Sequence, residues 1–127
     1  IFNRIIHFFI KYHKYRLGLK LGFSIPENVA KKGLQLVHYG SIVINANTKI
    51  GENCRIHTCT NIGTANKSSK APVIGDNVYI GPGAKIYGEI TIASNIKIAP
   101  NAAVSKDFLM ENVIIGGVPA KQISKSK

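Results

Sequence analysis

The chain is predicted to be an all-β protein, a parallel β-solenoid of short strands, and three observations predict it. The first is a period of six. Ile44, Ile50, Ile56 and Ile62, then Ile74, Ile80, Ile86, Ile92, Ile98 and Val104, put Ile or Val at every sixth position. The second is what stands three residues later: Asn47, Asn53, Asn77, Gly83, Asn95, Asn101 and Asp107, residue types that tolerate positive φ at a tight corner. Cys59 and Glu89 are the exceptions. The third lies four residues after the aliphatic position, where Thr48, Cys54, Thr60, Val78, Ala84, Ile90, Ile96 and Ala102 are mostly small or β-branched and suit a second inward site. An α-helix has no use for period six with β-branched residues and corner Asn, whereas a coil of short parallel strands uses all three.

The elements follow in order. Residues 1–22 break the hexad and carry Arg4, Lys11, Lys14, Arg16 and Lys20 with no acid before Glu27. Ile5, Ile6, Phe9, Ile10 and Tyr12 are interspersed, so this segment reads as a basic amphipathic helix ending near Gly18 or Gly22. It is expected to cap the open end of the solenoid, with peripheral contact to a membrane surface as its second use. Residues 23–115 are the solenoid. The frame survives the twelve-residue step from Ile62 to Ile74, so the polar stretch TANKSSKA, residues 64–71, is an extruded loop. Residues 116–127 form a C-terminal cap, GGVPAKQI, and a Lys and Ser tail expected to fray after Ile123.

At 127 residues there is room for one domain. Cys54 and Cys59 lie five apart with no zinc-type spacing, which signals neither a disulfide framework nor a structural zinc site and favours reduced thiols in a cytoplasmic protein. No apolar run approaches the length of a membrane span. The formal net charge of +11 favours a polyanionic or phosphorylated partner. Nucleic acid is disfavoured, because only Tyr79 and Tyr87 supply stacking aromatics within the hexads. A phosphate loop and a dinucleotide fingerprint are both missing, which removes nucleotide hydrolysis and hydride transfer.

The segments IGEN at 50–53, IGDN at 74–77 and IGPG at 80–83 resemble the hexapeptide-repeat acyltransferases. In that family three hexads make one coil of a left-handed β-helix, which implies four to five coils here. Residues 33–63, 72–92 and 116–121, and above all the segment His38-Tyr39-Gly40-Ser41-Ile42-Val43-Ile44, resemble the serine acetyltransferase branch, nearest its members that acetylate polysaccharides. The resemblance implies a homotrimer that transfers acetyl from acetyl-CoA directly to a hydroxyl, with no metal. His38 matches the family's general base, and imidazole can accept the proton that an attacking alcohol must lose. Gly63, Thr64, Pro82 and Pro100 match positions lining the CoA groove. Lys106 and Lys121 are placed to meet its phosphates, and Tyr39 and His57 are candidates on the acceptor side. His57, just after Ile56, is expected to face outward at the surface.

The chain also departs from the serine enzymes. The acid that partners their base falls at Phe23, the acid before it at Val37, and a second active-site His near Ala71. These losses favour a saccharide hydroxyl over serine as the acceptor. Serine O-acetylation and a non-catalytic basic solenoid are the alternatives.

Overall fold

The computed structural model describes residues 2–66 and 68–126. It is a left-handed β-helix of five coils, preceded by the helix α1 (Phe2–Leu21). Coil one holds β1 (Phe23–Ser24), a bridge at Ala30 and β2 (Gln35–Leu36). Coil two holds β3 (Ile42–Ile44), β4 (Lys49–Ile50) and β5 (Arg55–Ile56); coil three holds β6 (Thr60–Gly63), β7 (Val73–Ile74) and β8 (Tyr79–Ile80). Coil four holds β9 (Lys85–Tyr87), β10 (Thr91–Ile92) and β11 (Lys97–Ile98), and coil five β12 (Ala103–Val104), a bridge at Phe108 and β13 (Val113–Gly116). Stacking gives three parallel faces: β1-β3-β6-β9-β12, then β4-β7-β10, then β2-β5-β8-β11-β13, with β14 (Lys121–Lys125) antiparallel at the end of the third.

All ten period-six aliphatics are buried, and so are all eight residues of the second inward position. Register explains why. Ile44, Ile62, Ile86 and Val104 pair into one column, Ile50, Ile74 and Ile92 into a second, and Leu36, Ile56, Ile80, Ile98 and Ile115 into the third. Each buried Ile contributes about 1.5–3 kcal/mol by leaving water. Coil follows coil at about 4.8 Å, so one aliphatic per face per coil fills the prism.

The corners refine the expectation. Asn53, Asn77, Asn95 and Asn101 have φ between 54° and 60°, and Gly83 has φ 77°. Cys59, expected to be an exception, sits in the same left-handed conformation at φ 59°, because it occupies the edge position that Gly83 and Asn101 fill on later coils. Asn47 and Asp107 do not adopt positive φ. Their edge, between the first and second faces, is closed by side chains instead: Asn47 Nδ2 donates to the Ser69 carbonyl at 2.6 Å, and Asp107 Oδ1 accepts from the Thr91 N–H at 2.7 Å. Near Glu89 the turn falls to Gly88, at φ 100°. We expect Asn95→Val and Asn101→Val each to cost about 1–2 kcal/mol, the penalty of a Cβ-branched residue in this region, while Asn→Gly at the same sites is nearly neutral. Thermal midpoints check this; equal losses for Val and Gly would contradict the corner assignment.

Two expectations about the ends are corrected. The helix forms and terminates at Gly22, whose φ of 80° suits the C′ position, but it does not seal the solenoid. Lys11 and Lys14 turn toward Glu27 at 3.6 and 4.0 Å, and Gly18 lies on the same face, close enough that a Cβ would meet the Phe23 carbonyl at 2.9 Å. The face turned to coil one carries Lys11, Lys14 and Gly18 together with Leu17 and Leu21. No α1 residue is buried, and Phe2, Ile5, Phe8, Phe9 and Tyr12 stay exposed. The tail, in turn, does not fray at Ile123: Ser124 and Lys125 pair with Ile114 and Val113, and the Ser126 N–H reaches the Asn112 carbonyl. The edge of β13 offers unpaired backbone groups, and β14 satisfies them. Of the loop at 64–71, Asn66, Ser68, Ser69 and Lys70 are exposed as expected, while Thr64 and Ala65 are half-buried and Ala71 is buried again; Lys67 lies outside the described residues.

Candidate active-site edge

The edge between the third and first faces carries most of the candidate residues. On later coils this corner is short: four residues lead from Ile56 to Thr60, but six lead from Leu36 to Ile42, the residues that pair with them. The two extra residues push the chain outward at His38-Tyr39-Gly40, with Gly40 at φ 133°. This is the irregularity visible in the sequence frame. His38 and Tyr39 are exposed, Tyr39 to 79%. His38 is therefore no inward-facing core histidine.

Directly along the same edge lie His57, Pro82 and Pro100, and Lys121 follows β13 at its end. Both prolines are exposed. Gly63, Thr64 and Lys106 stand instead on the edge between the first and second faces. The candidate CoA residues are thus split between two edges that flank one face. The Gly63 side is open: a Cβ there would meet nothing nearer than Asn61 Oδ1 at 3.7 Å, and Gly63 has no positive φ. The chain's own packing does not require glycine at this position, which fits close approach by something outside the chain. Lys106 is exposed, with its ammonium 5.6 Å from the Phe108 ring centroid.

His57 differs from its expected surface placement. It is half-buried, its ring lies 5.0 Å from that of Tyr79 and 6.5 Å from that of His38, and its Nε2 is buried without a hydrogen-bond partner. Tyr79 covers it because Arg55 and Tyr79 are paired residues on adjacent coils. Burial first, then the positive Arg55 and the His38 imidazole, hold the His57 pKa below the ordinary imidazole value, so the ring stays neutral. Sequence reasoning missed this contact because the extruded loop makes the step from Arg55 to Tyr79 longer than one regular coil.

The positions where the serine enzymes carry charge are apolar in place. Phe23 packs against the core, Val37 is half-buried and Ala71 is 8% exposed. The six acids are engaged or distant: Glu27, Glu52 and Glu89 pair with lysines, Asp76 and Asp107 accept backbone N–H groups, and Glu111 lies in the turn before β13. Cys54 and Cys59 are free thiols. Burial raises the Cys54 pKa, and its Sγ lies 3.2 Å from the Gly75 carbonyl, so it packs as a neutral side chain. Among the described residues no His, Cys, Asp and Glu cluster of three could hold a metal. A concavity of about 800 Å³ between α1 and coil one is lined by Lys11, Lys14, Leu17, Phe23 and Leu36 among others. Neither His57 nor Pro82 lines it. A single solenoid edge is convex, and a groove along it requires a second wall.

The coils and the repeat are those of a hexapeptide-repeat β-helix, and residues 71–106 match the family model for bacterial transferase hexapeptide (six repeats). Within that class the chain is similar to serine acetyltransferases. It is 32% identical over 98 residues to the serine acetyltransferase of Helicobacter pylori, covering 76% of this chain and 57% of that protein. A serine O-acetyltransferase structure from Brucella melitensis superposes with a TM-score of 0.82 at 28% identity, covering 99% of this chain and 50% of that one. The serine acetyltransferase of Brucella abortus in complex with coenzyme A superposes at 0.72 with 34% identity, covering 78% and 41%. The chain spans about half the length of the relatives it matches.

Proposed function

We propose that this chain transfers acetyl from acetyl-CoA to a hydroxyl, with L-serine as the acceptor and His38 as general base. The observation that carries the reading is the two-residue excursion that lifts His38 out of an otherwise regular edge, the edge that also carries Pro82 and Pro100, in a chain similar to serine acetyltransferases. In the step itself the hydroxyl proton passes to the neutral imidazole as the oxygen attacks the thioester carbon. The C–S bond then breaks, and the proton is returned to the departing CoA sulfur. No enzyme nucleophile is needed. Gly63, Thr64, Pro82 and Pro100 line the donor groove, and Lys106 and Lys121 meet its phosphates. Because these residues lie on two edges, the groove forms between neighbouring copies, and the working unit is a homotrimer. A CoA thioester donor places the reaction in the cytoplasm; no helix among the described residues is long and apolar enough to cross a membrane.

The relatives favour serine over the saccharide expected from the sequence. A saccharide hydroxyl remains the second reading on one observation: Phe23, Val37 and Ala71 leave no carboxylate or second histidine where the serine enzymes have them. A thiol-release assay with acetyl-CoA separates the two. We expect turnover with L-serine and a trimer in sedimentation. Turnover on sugar hydroxyls alone would move the acceptor, an active monomer would remove the shared groove, and no CoA release with any acceptor would remove acetyl transfer.

A further inference from the structure

We infer that His57 positions His38, its buried Nε2 being the hydrogen-bond partner that fixes the His38 ring as that ring turns toward the acceptor. The inference rests on His38 being the base. It begins from a deficit on each side. His38 is exposed and its ring makes no hydrogen bond among the described residues, yet a base must hold one nitrogen toward the substrate, and the tautomer it presents is set by what the other nitrogen bonds. His57 has the complementary deficit: Nε2 is buried and unpartnered, which costs about 1–3 kcal/mol unless a partner is found. Its backbone is already committed, with N–H donating to the Ile80 carbonyl and C=O accepting from Thr60 Oγ1.

The surroundings leave His38 as that partner. The groups facing His57 are Arg55 from its own strand, Tyr79 from the next coil and His38 from the preceding corner. Arg55 can only donate, makes no hydrogen bond to His57 Nε2, and repels a proton on the ring. Tyr79 packs against the ring at an interplanar angle of 57° and so holds it in place. With the ring centroids of His38 and His57 6.5 Å apart and a hydrogen bond needing about 3 Å between nitrogens, the mobile ring must close the gap. His38 is the exposed one, and it swings. His57 does not compete for the acceptor's proton, since burial and Arg55 keep it neutral. An imidazole thereby supplies the orienting contact that a carboxylate would give were Phe23 or Val37 acidic.

The test has two arms. Nitrogen NMR of the wild-type imidazoles, above their titration, should show one His38 tautomer in clear excess, and His57→Phe should return the ratio to that of a solvent-exposed imidazole. In the thiol-release assay His57→Phe, which keeps a ring against Tyr79 but loses both nitrogens, should lower kcat about 10- to 100-fold, the usual effect of removing a group that orients a working histidine. The KM for acetyl-CoA should hold within twofold, and His57→Gln should recover much of kcat. A wild-type His38 ratio equal to that of a free imidazole, or near wild-type kcat in folded His57→Phe, overturns the inference. The NMR arm is independent of turnover, so it still decides if the wild type transfers no acetyl or if His57→Phe does not fold.

Discussion

Replacing His38 with Ala is expected to lower kcat by about 10² to 10⁴, the contribution of a positioned general base, while leaving CoA affinity nearly unchanged. The imidazole acts on the alcohol and not on the donor, so the lost stabilisation belongs to the transition state and appears in turnover. Stability should not fall, because the His38 side chain is exposed and outside the buried core. His38→Asn is the stricter variant, keeping a polar group of similar size without a basic nitrogen. A folded His38→Asn protein that binds CoA and turns over at the wild-type rate would remove His38 from the mechanism.

Ile98→Ala should destabilise the fold by about 2–5 kcal/mol, the range for truncating a buried aliphatic. Ile98 is fully buried, stacked between Ile80 and Ile115 in the third-face column. Its loss opens a void in a prism one side chain wide, where neighbouring coils are held at strand spacing and cannot collapse inward. Against a typical domain stability of about 5–15 kcal/mol this is a large fraction. Ile98→Val should cost only about 0.5–1.5 kcal/mol, and Lys97→Ala, one residue away on the exposed side, should stay within about 0.5 kcal/mol. Denaturant midpoints measure all three. An Ile98→Ala midpoint as close to wild type as that of Lys97→Ala would contradict the inward column.

The expectations that failed share one physical feature. Cys59 and Asn47 were judged by residue type, but the conformation at each corner depends on which edge it closes: positive φ at the edge of Cys59, Gly83 and Asn101, side-chain hydrogen bonds at the edge of Asn47 and Asp107. The cap reading of residues 1–22 assumed that an apolar stripe must face the solenoid. Glu27 instead draws Lys11 and Lys14 inward, a long-range pairing that periodicity does not encode. Pairing by β13 likewise ordered Ser124 and Lys125, whose composition alone reads as frayed.

What the sequence determined by itself was everything that repeats: the hexad, the inward columns, the extruded loop at 64–71 and the irregular frame at His38. Each is written locally, one residue type at one spacing, so reading along the chain recovers it. What only the tertiary structure decided was what meets across coils. It set Tyr79 over His57, buried His57 Nε2, and divided the candidate donor residues between two edges. Those relations depend on the stagger introduced by the two-residue excursion at His38 and by the long loop, because an insertion outside the hexad shifts which residues face one another without disturbing the period on either side.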